Sequence, residues 1–248
     1  SRMMGIRRRA FLIGGAAIVG GGLFAVYWGD SSARKRAVEL TAKGKDGSFL
    51  SWVKISEDDT VTVYSPHIDF GQGSHTALAQ MVAEELDADW SKIVVEHAPA
   101  DPSSANTALG RGFMADMSGQ PGIVAALPAS FISMAARSMN LQITGGSSAV
   151  RFTGQSGMRV AGAAAREALV AEAAERLKVP ASELTTLDSR VIHEKTSASL
   201  RYGELAQAAA ARTLNSDVKL KDRKDFRYIG QGVHRLDIPA KVDGSATY

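Results

Sequence analysis

The chain contains no cysteine. It therefore cannot form a disulfide or ligate an iron–sulfur cluster through its own thiolates. Any redox metal it serves has to be held by other groups or by a partner. Charge of one sign is also scarce: 29 Lys and Arg against 26 Asp and Glu leave a net charge of +3. Much of that excess is local, with Arg2, Arg7, Arg8 and Arg9 before one long apolar run and Arg34, Lys35 and Arg36 after it. No basic stripe runs along the rest of the chain, so composition supplies no nucleic-acid surface. Several catalytic signatures are missing too. There is no Gly-Lys-Ser/Thr phosphate loop, no third glycine of a dinucleotide fingerprint, no nucleophile elbow and no His-x-x-x-His zinc spacing. His67, His75, His97, His193 and His234 read as surface or hydrogen-bonded histidines.

What remains is an ordinary globular composition, 45% hydrophobic and 22% charged, long enough for one large domain or two small ones. The apolar run Phe11–Trp28 carries no charge. Arg8-Arg9-Ala10-Phe11-Leu12 in front of it predicts a twin-arginine export signal with a hydrophobic leader helix over residues 1–30. That pathway moves folded proteins, as an enzyme loaded with a large cofactor in the cytoplasm would need. The run approaches the roughly 20 residues that span a bilayer and ends in Tyr27-Trp28, suited to a membrane interface. It is either a cleaved signal or an inner-membrane anchor, and in both cases the body is periplasmic. The glycines at 14, 15 and 20–22 weigh against the anchor.

Residues 31–47 read as a linker. Phe49–Ile55 and Thr60–Ser65 are β-rich and flank the loop Ser56-Glu57-Asp58-Asp59. Ser74 is the expected N-cap of a helix over His75–Leu86, with Leu78, Met81, Val82 and Leu86 on one stripe, and Lys92–His97 is the next strand. Residues 98–140 form a long irregular excursion with one helix near Ile123–Met139. Met158–Lys178 is the strongest helix, ended by Val179-Pro180. Arg190–His193 suggests a short strand and Tyr202–Arg212 a last helix. The alternation predicts an α+β core with an α/β-like unit.

Two glycine loops could carry chemistry. Phe70-Gly71-Gln72-Gly73-Ser74 lies between a strand and a helix start. There Gly71 and Gly73 let a ligand approach the backbone, Gln72 offers a donor and an acceptor, and the helix end favours an anion. Thr144-Gly145-Gly146-Ser147-Ser148 adds exposed N–H groups and two hydroxyls suited to phosphate or pterin, with Arg151 shortly after. Each loop alone is equally a plain turn. Glu84-Glu85 falls on the first helix, where a solvated face is the default for at least one, and no general base stands out.

Taken in order, Phe70-Gly71-Gln72-Gly73-Ser74-His75-Thr76, Ala83-Glu84-Glu85-Leu86, Ile143-Thr144-Gly145-Gly146-Ser147-Ser148 and Arg159-Val160-Ala161-Gly162-Ala163-Ala164-Ala165-Arg166-Glu167 resemble the large, molybdopterin-binding subunit of the xanthine oxidase family. The likeness is to the branch of isoquinoline 1-oxidoreductase β-subunits and membrane-bound aldehyde dehydrogenases. Gly232 to Gly244 resembles the start of that family's hammerhead domain. The resemblance implies residues 48–225 as the N-terminal part of a molybdopterin-binding domain and 226–248 as the beginning of a hammerhead. It implies a molybdenum hydroxylase that oxidises an aldehyde or aromatic N-heterocycle with water oxygen. The cofactor would be molybdopterin cytosine dinucleotide, with electrons leaving through [2Fe–2S] clusters on a small partner subunit to a cytochrome c or quinone.

Gly71, Gln72 and Gly73 would face the molybdenum side of that cofactor, and Gly145, Gly146, Ser147 and Ser148 its pterin and phosphate. None of these residues ligates the metal directly. The family's glutamate base belongs beyond Tyr248, so the remaining large-subunit portion is a required partner and the chain alone is catalytically incomplete. The rival expectation is a membrane-tethered binding or assembly module with the same fold and no catalysis.

Overall fold

The computed structural model describes residues 11–18, 21–28, 53–98, 138, 145–212 and 218–246. The linker 31–47, and the excursion's expected helix apart from Ser138, lie outside them. The apolar run corrects the first expectation. Instead of a leader helix it forms two antiparallel strands, β1 (Phe11–Ile18) and β2 (Gly21–Trp28), with Phe11 opposite Trp28 and Ile18 opposite Gly21. Composition explains the outcome. Glycine costs a helix about 1 kcal/mol per residue relative to alanine, whereas Ile13, Ile18, Phe24, Val26, Tyr27 and Trp28 are residues that pleated sheets favour. Among the described residues no helix is long and apolar enough to cross a membrane.

The hairpin extends a sheet ordered β1-β2-β3-β4-β5. In it β3 (Val53–Ser56) pairs antiparallel with β2 and with β4 (Val61–Ser65). From β4 the chain turns through the first glycine loop into α1 (Ser74–Leu86) and returns as β5 (Ile93–His97), parallel to β4 with Val61 opposite Ile93. This is the strand-turn-helix-strand unit that the spacing predicts. Val53, Ile55, Val61, Val63 and Ile93 face the helices and are buried, as is the α1 stripe Leu78, Met81, Val82 and Leu86. The other sheet face carries an open polar recess that includes Lys54, Glu57, Thr62 and Glu96. It lies at the start of β4, the opposite end from the glycine loop.

The alanine-rich helix begins earlier than expected. A π-helical stretch, Ala149–Met158, runs straight into α2 (Arg159–Leu177). After it come a second antiparallel sheet, β6 (Leu184–Leu187), β7 (Arg190–His193) and β8 (Ala198–Arg201), then α3 (Tyr202–Ala211) and a short α4 (Ile238–Asp243). Helix α3 lies against β1, β2 and β3. Its buried Tyr202 hydroxyl donates to the Leu86 carbonyl at 2.6 Å, tying α3 to the end of α1. The architecture is α+β.

Helices α1 and α2 run side by side in the same direction: Gly154 sits over Leu78 and Met81, and Gly162 over Val82 and Glu85. A Cβ on Gly162 would stand 2.8 Å from the Val82 carbonyl oxygen and 3.1 Å from Glu85 Cβ, so only hydrogen fits at this crossing. Both acidic residues on α1 are fully buried, against the expectation of a solvated face. Glu84 Oε2 accepts the backbone N–H groups of Arg227, Tyr228 and Ile229 at 2.8, 2.7 and 3.0 Å, and its Oε1 lies 3.3 Å from Lys221 Nζ. Glu85 accepts from Arg159 Nε at 2.7 Å and from the Lys221 backbone N–H at 3.0 Å. Asp87, just past the helix, pairs with Lys221 and accepts from Thr186 Oγ1 at 2.7 Å. These carboxylates bind the segment 218–231 down as a strap across α1.

Two outcomes are expected. Gly162→Ala forces the helices apart and lowers stability by about 1–3 kcal/mol, read as a drop in the urea midpoint. Glu84→Ala leaves the N–H groups of Arg227, Tyr228 and Ile229 without their buried acceptor, while Lys221 keeps Asp87, and costs about 3 kcal/mol or more. Burial pushes the Glu84 carboxyl upward, but the N–H groups of Tyr228, Ile229 and Arg227 outweigh it and hold it below the ordinary range. A lowered native pKa stabilises above the unfolded value and that stabilisation fades as pH falls below about 4. The acid limb of the stability profile is therefore expected to be shallower in Glu84→Ala.

Candidate functional site

The first glycine loop leaves the carboxyl end of β4, beside the parallel strand β5, a position where open sheets commonly receive ligands. Gly71 has φ of 124° and Gly73 φ of 81°, backbone that residues with a Cβ resist. Nothing lies within 4 Å of a Cβ placed on either, so conformation and not crowding requires glycine here. The expected N-cap moves by one residue: Ser74 is already helical, and Gly73 is the cap without a side-chain bond of its own.

The missing acceptor comes from Asp69. Its carboxylate takes the N–H groups of Gly71 at 2.9 Å, Gly73 at 3.3 Å and His75 at 3.0 Å. Burial would raise the Asp69 carboxyl, but these N–H groups hold it below the usual range. The helix end that the sequence offers to an external anion thus already has one built in. A phosphate placed there would meet a carboxylate. Sequence reasoning passed over Asp69. The signal was available in its position, two residues before Gly71, where Asp side chains cap local N–H groups.

Gln72 joins the two loops. Its Nε2 reaches the Ile68 carbonyl at 2.8 Å, Ser74 Oγ at 3.1 Å and the Gly145 carbonyl at 3.3 Å, while its Oε1 accepts the Phe70 N–H at 2.9 Å. Residues 73 apart in sequence thereby meet across the amide. Of the second loop, Gly145, Gly146, Ser147 and Ser148 are described and Thr144 is not. Gly146 and Ser147 are exposed, and a Cβ on Gly146 would meet nothing within 4 Å. Together the loops present open space at Gly71, Gly73 and Gly146 beside the Ser147 and Ser148 hydroxyls, with the Gly71 and Gly73 N–H groups already taken by Asp69.

Behind the loops lies a polar chain that starts at the buried pair His67 and Thr153 and runs out to the exposed His97. His67 Nε2 meets Thr153 Oγ1 at 2.7 Å, so the π-helical stretch is fixed to the end of β4. The His75 ring bonds the His67 carbonyl at 2.7 Å and sits edge-on to His97 at 4.5 Å between centroids. Burial lowers the His75 pKa, partly offset by the bond to the His67 carbonyl, and His97 lowers it further. With Nε2 donating to a carbonyl, the neutral ring keeps Nδ1 as acceptor. Among the described residues no group of three His, Asp or Glu side chains is placed to hold a metal ion.

Comparison with known proteins adds independent findings. The molybdopterin cofactor-binding domain family matches residues 15–120, which include the first glycine loop and not the second. The β-subunit of isoquinoline 1-oxidoreductase from Brevundimonas diminuta is 31% identical over 231 residues, covering 79% of this chain and 26% of its own. A nicotinate dehydrogenase component from Pseudomonas putida, its B subunit, is 30% identical over 212 residues, covering 84% of this chain and 15% of its own. A membrane-bound aldehyde dehydrogenase of Gluconacetobacter polyoxogenes, whose name carries pyrroloquinoline-quinone, is 28% identical over 98% of this chain and 27% of its own. The chain thus spans about a quarter or less of the length of these relatives. Among solved structures, quinoline 2-oxidoreductase of Pseudomonas putida 86 aligns over 86% of this chain and 22% of its own, with 15% identity and a TM-score of 0.40.

The two glycine positions separate conformational from steric demand. Gly73→Ala is expected to cost about 1–2 kcal/mol through its left-handed backbone. Gly146→Ala, with open space and no left-handed φ, is expected to leave the urea midpoint unchanged.

Proposed function

Because the chain belongs in part to the molybdopterin-binding subunits of the xanthine oxidase family, we propose that its two glycine loops hold one side of a molybdopterin cofactor. The enzyme would be a molybdenum hydroxylase acting on an aldehyde or an aromatic N-heterocycle. The observation that supports this most is the Gln72 amide bonded to Gly145, which makes one surface of two loops that the sequence keeps apart. When bound, the cofactor supplies two-electron oxidation of the substrate with water as oxygen source.

The residues present fit such a group. Gly71 and Gly73 let its metal-bearing end approach the backbone, and the Gln72 carbonyl oxygen keeps accepting capacity beyond the Phe70 N–H. Ser147 and Ser148 offer hydroxyls to pterin or phosphate. Asp69 directs the anionic tail, in this reading a cytosine dinucleotide, to the second loop and away from α1. The Asp69 carboxylate is fully engaged by N–H groups and is unsuited to serve as base, so the reading needs a carboxylate from the remainder of the large subunit. It also needs a [2Fe–2S] partner subunit, since this chain has no cysteine, and a cytochrome c or quinone as acceptor. Residues 226–248 would begin the hammerhead domain. The arginines at 7–9, outside the described residues, would direct export to the periplasm.

A second reading follows from the relative whose name carries pyrroloquinoline-quinone; the molybdopterin domain match across Gly71–Gly73 favours the first. The test is metal, pterin and quinone content of the protein purified from its native cell fraction, with each co-purifying chain and its mature N-terminus identified by mass. Stoichiometric molybdenum and pterin with an iron–sulfur chain are expected. Pyrroloquinoline quinone without molybdenum overturns the proposal in favour of the second reading, and a cofactor-free protein purified alone leaves only the tethered module. Recovery of the protein in the periplasmic fraction is expected of an exported protein; recovery in the cytoplasm overturns export.

A further inference from the structure

The turn Gly71-Gln72-Gly73 is held almost without packing. Gly71 and Gln72 are exposed, and no atom lies within 4 Å of a Cβ placed on either glycine. Polar bonds from two sides take the place of contacts. From inside, Asp69 binds the N–H groups described above. From outside comes Arg235, 164 residues after Gly71, whose guanidinium donates to the Gly71 carbonyl and lies 3.4 Å from Asp69 Oδ1.

Arg235 is itself aimed. Asp237 takes two of its nitrogens as a fork, one of them Nε at 2.9 Å, the planar pairing that fixes a guanidinium in orientation as well as position. Lys241, one turn along α4, pairs with the same Asp237. The Leu236 N–H bonds Thr76 Oγ1 at 3.2 Å and anchors the backbone beside Arg235 to the first turn of α1. The Arg235 bonds, and Lys241 against opposing burial, hold the Asp237 carboxyl far below the usual carboxylate range.

We propose that Arg235 is a positioning residue for the glycine turn. By binding the Gly71 carbonyl, it fixes the orientation of the 71–72 peptide and so the face that Gln72 presents to a ligand between the two loops. A peptide plane is rigid, with its C=O and N–H pointing in opposite directions. Holding the Gly71 oxygen toward Arg235 therefore turns the Gln72 N–H the other way. A flip of that plane turns Gly71 ψ and Gln72 φ together, and on the Gly71 side no Cβ resists the rotation. Any effect on cofactor rests on the reading under Proposed function; the effect on the turn does not.

The test compares the full chain with Arg235→Ala and Arg235→Lys, following the backbone and side-chain amide resonances of Gln72 by NMR alongside the melting temperature and the pterin retained per chain on native purification. Arg235→Ala is expected to shift both Gln72 signals and to cut retained pterin about tenfold, the size seen when an orienting partner is lost. Arg235→Lys keeps a positive charge near Asp69 and Asp237 but gives up the fork. It is expected to melt like the parent yet still shift Gln72, so it carries the test if the alanine variant fails to fold. Unmoved Gln72 signals in a folded variant overturn the proposal. Displaced signals in a protein whose parent also retains no pterin uphold the role of Arg235 and sink the cofactor reading instead.

Discussion

Two adjacent carboxylates with no exposure to water, Glu84 and Glu85, constrain everything around them. A buried charge is tolerable only when its hydrogen-bonding capacity is filled. Here the filling comes from outside α1: the backbone of 227–229, the side chain and backbone of Lys221, and Arg159 of the neighbouring helix. Those demands decide where the strap runs, how α1 and α2 are turned about their axes, and why Asp87 and Lys221 meet at the helix end. The apolar stripe of α1 could have packed in several rotations. The paired acids permit one.

That rotation is what brings the loops together. Because α1 and α2 run in the same direction with glycine at their crossing, both helix starts open at the same end of the molecule. The loops before them become neighbours at Gln72 and Gly145. The candidate site is therefore a by-product of helix packing some distance away, finished locally by Asp69 and Arg235. Its two ends differ in charge: the first carries a carboxylate in the place an external anion would take, and the second carries hydroxyls and open backbone.

The sequence showed the repeating apolar positions well. The α1 stripe, β4, β5, β7 and α3 fall within a residue or two of where periodicity puts them, because burial on one face writes itself directly into spacing. It failed where a partner far along the chain overrode the local signal. Glu84-Glu85 look solvated until Lys221 and the 227–229 backbone are known. The run 11–28 looks helical by hydropathy, which does not register that glycine and β-prone residues favour strands once β3 offers a free edge. In the site, the glycines of both loops were legible as turns and Gln72 as their polar member. The assignment of Ser74 as cap was displaced by Asp69, an acceptor of better reach and full charge. No local pattern links residue 235 to residue 71.

The strap has a consequence for the order of assembly. The acceptor at Glu84 and its N–H donors at 227, 228 and 229 are separated by 143, 144 and 145 residues. As the chain is synthesised, α1 and the strands on either side of it emerge long before those donors exist. Until they arrive, Glu84 must stay hydrated and the helix cannot settle into its final depth, so closure of so long a loop governs when the interior becomes dry. A ribosome paused anywhere short of residue 229 would carry a nascent domain with its sheet formed and its charged seam still wet.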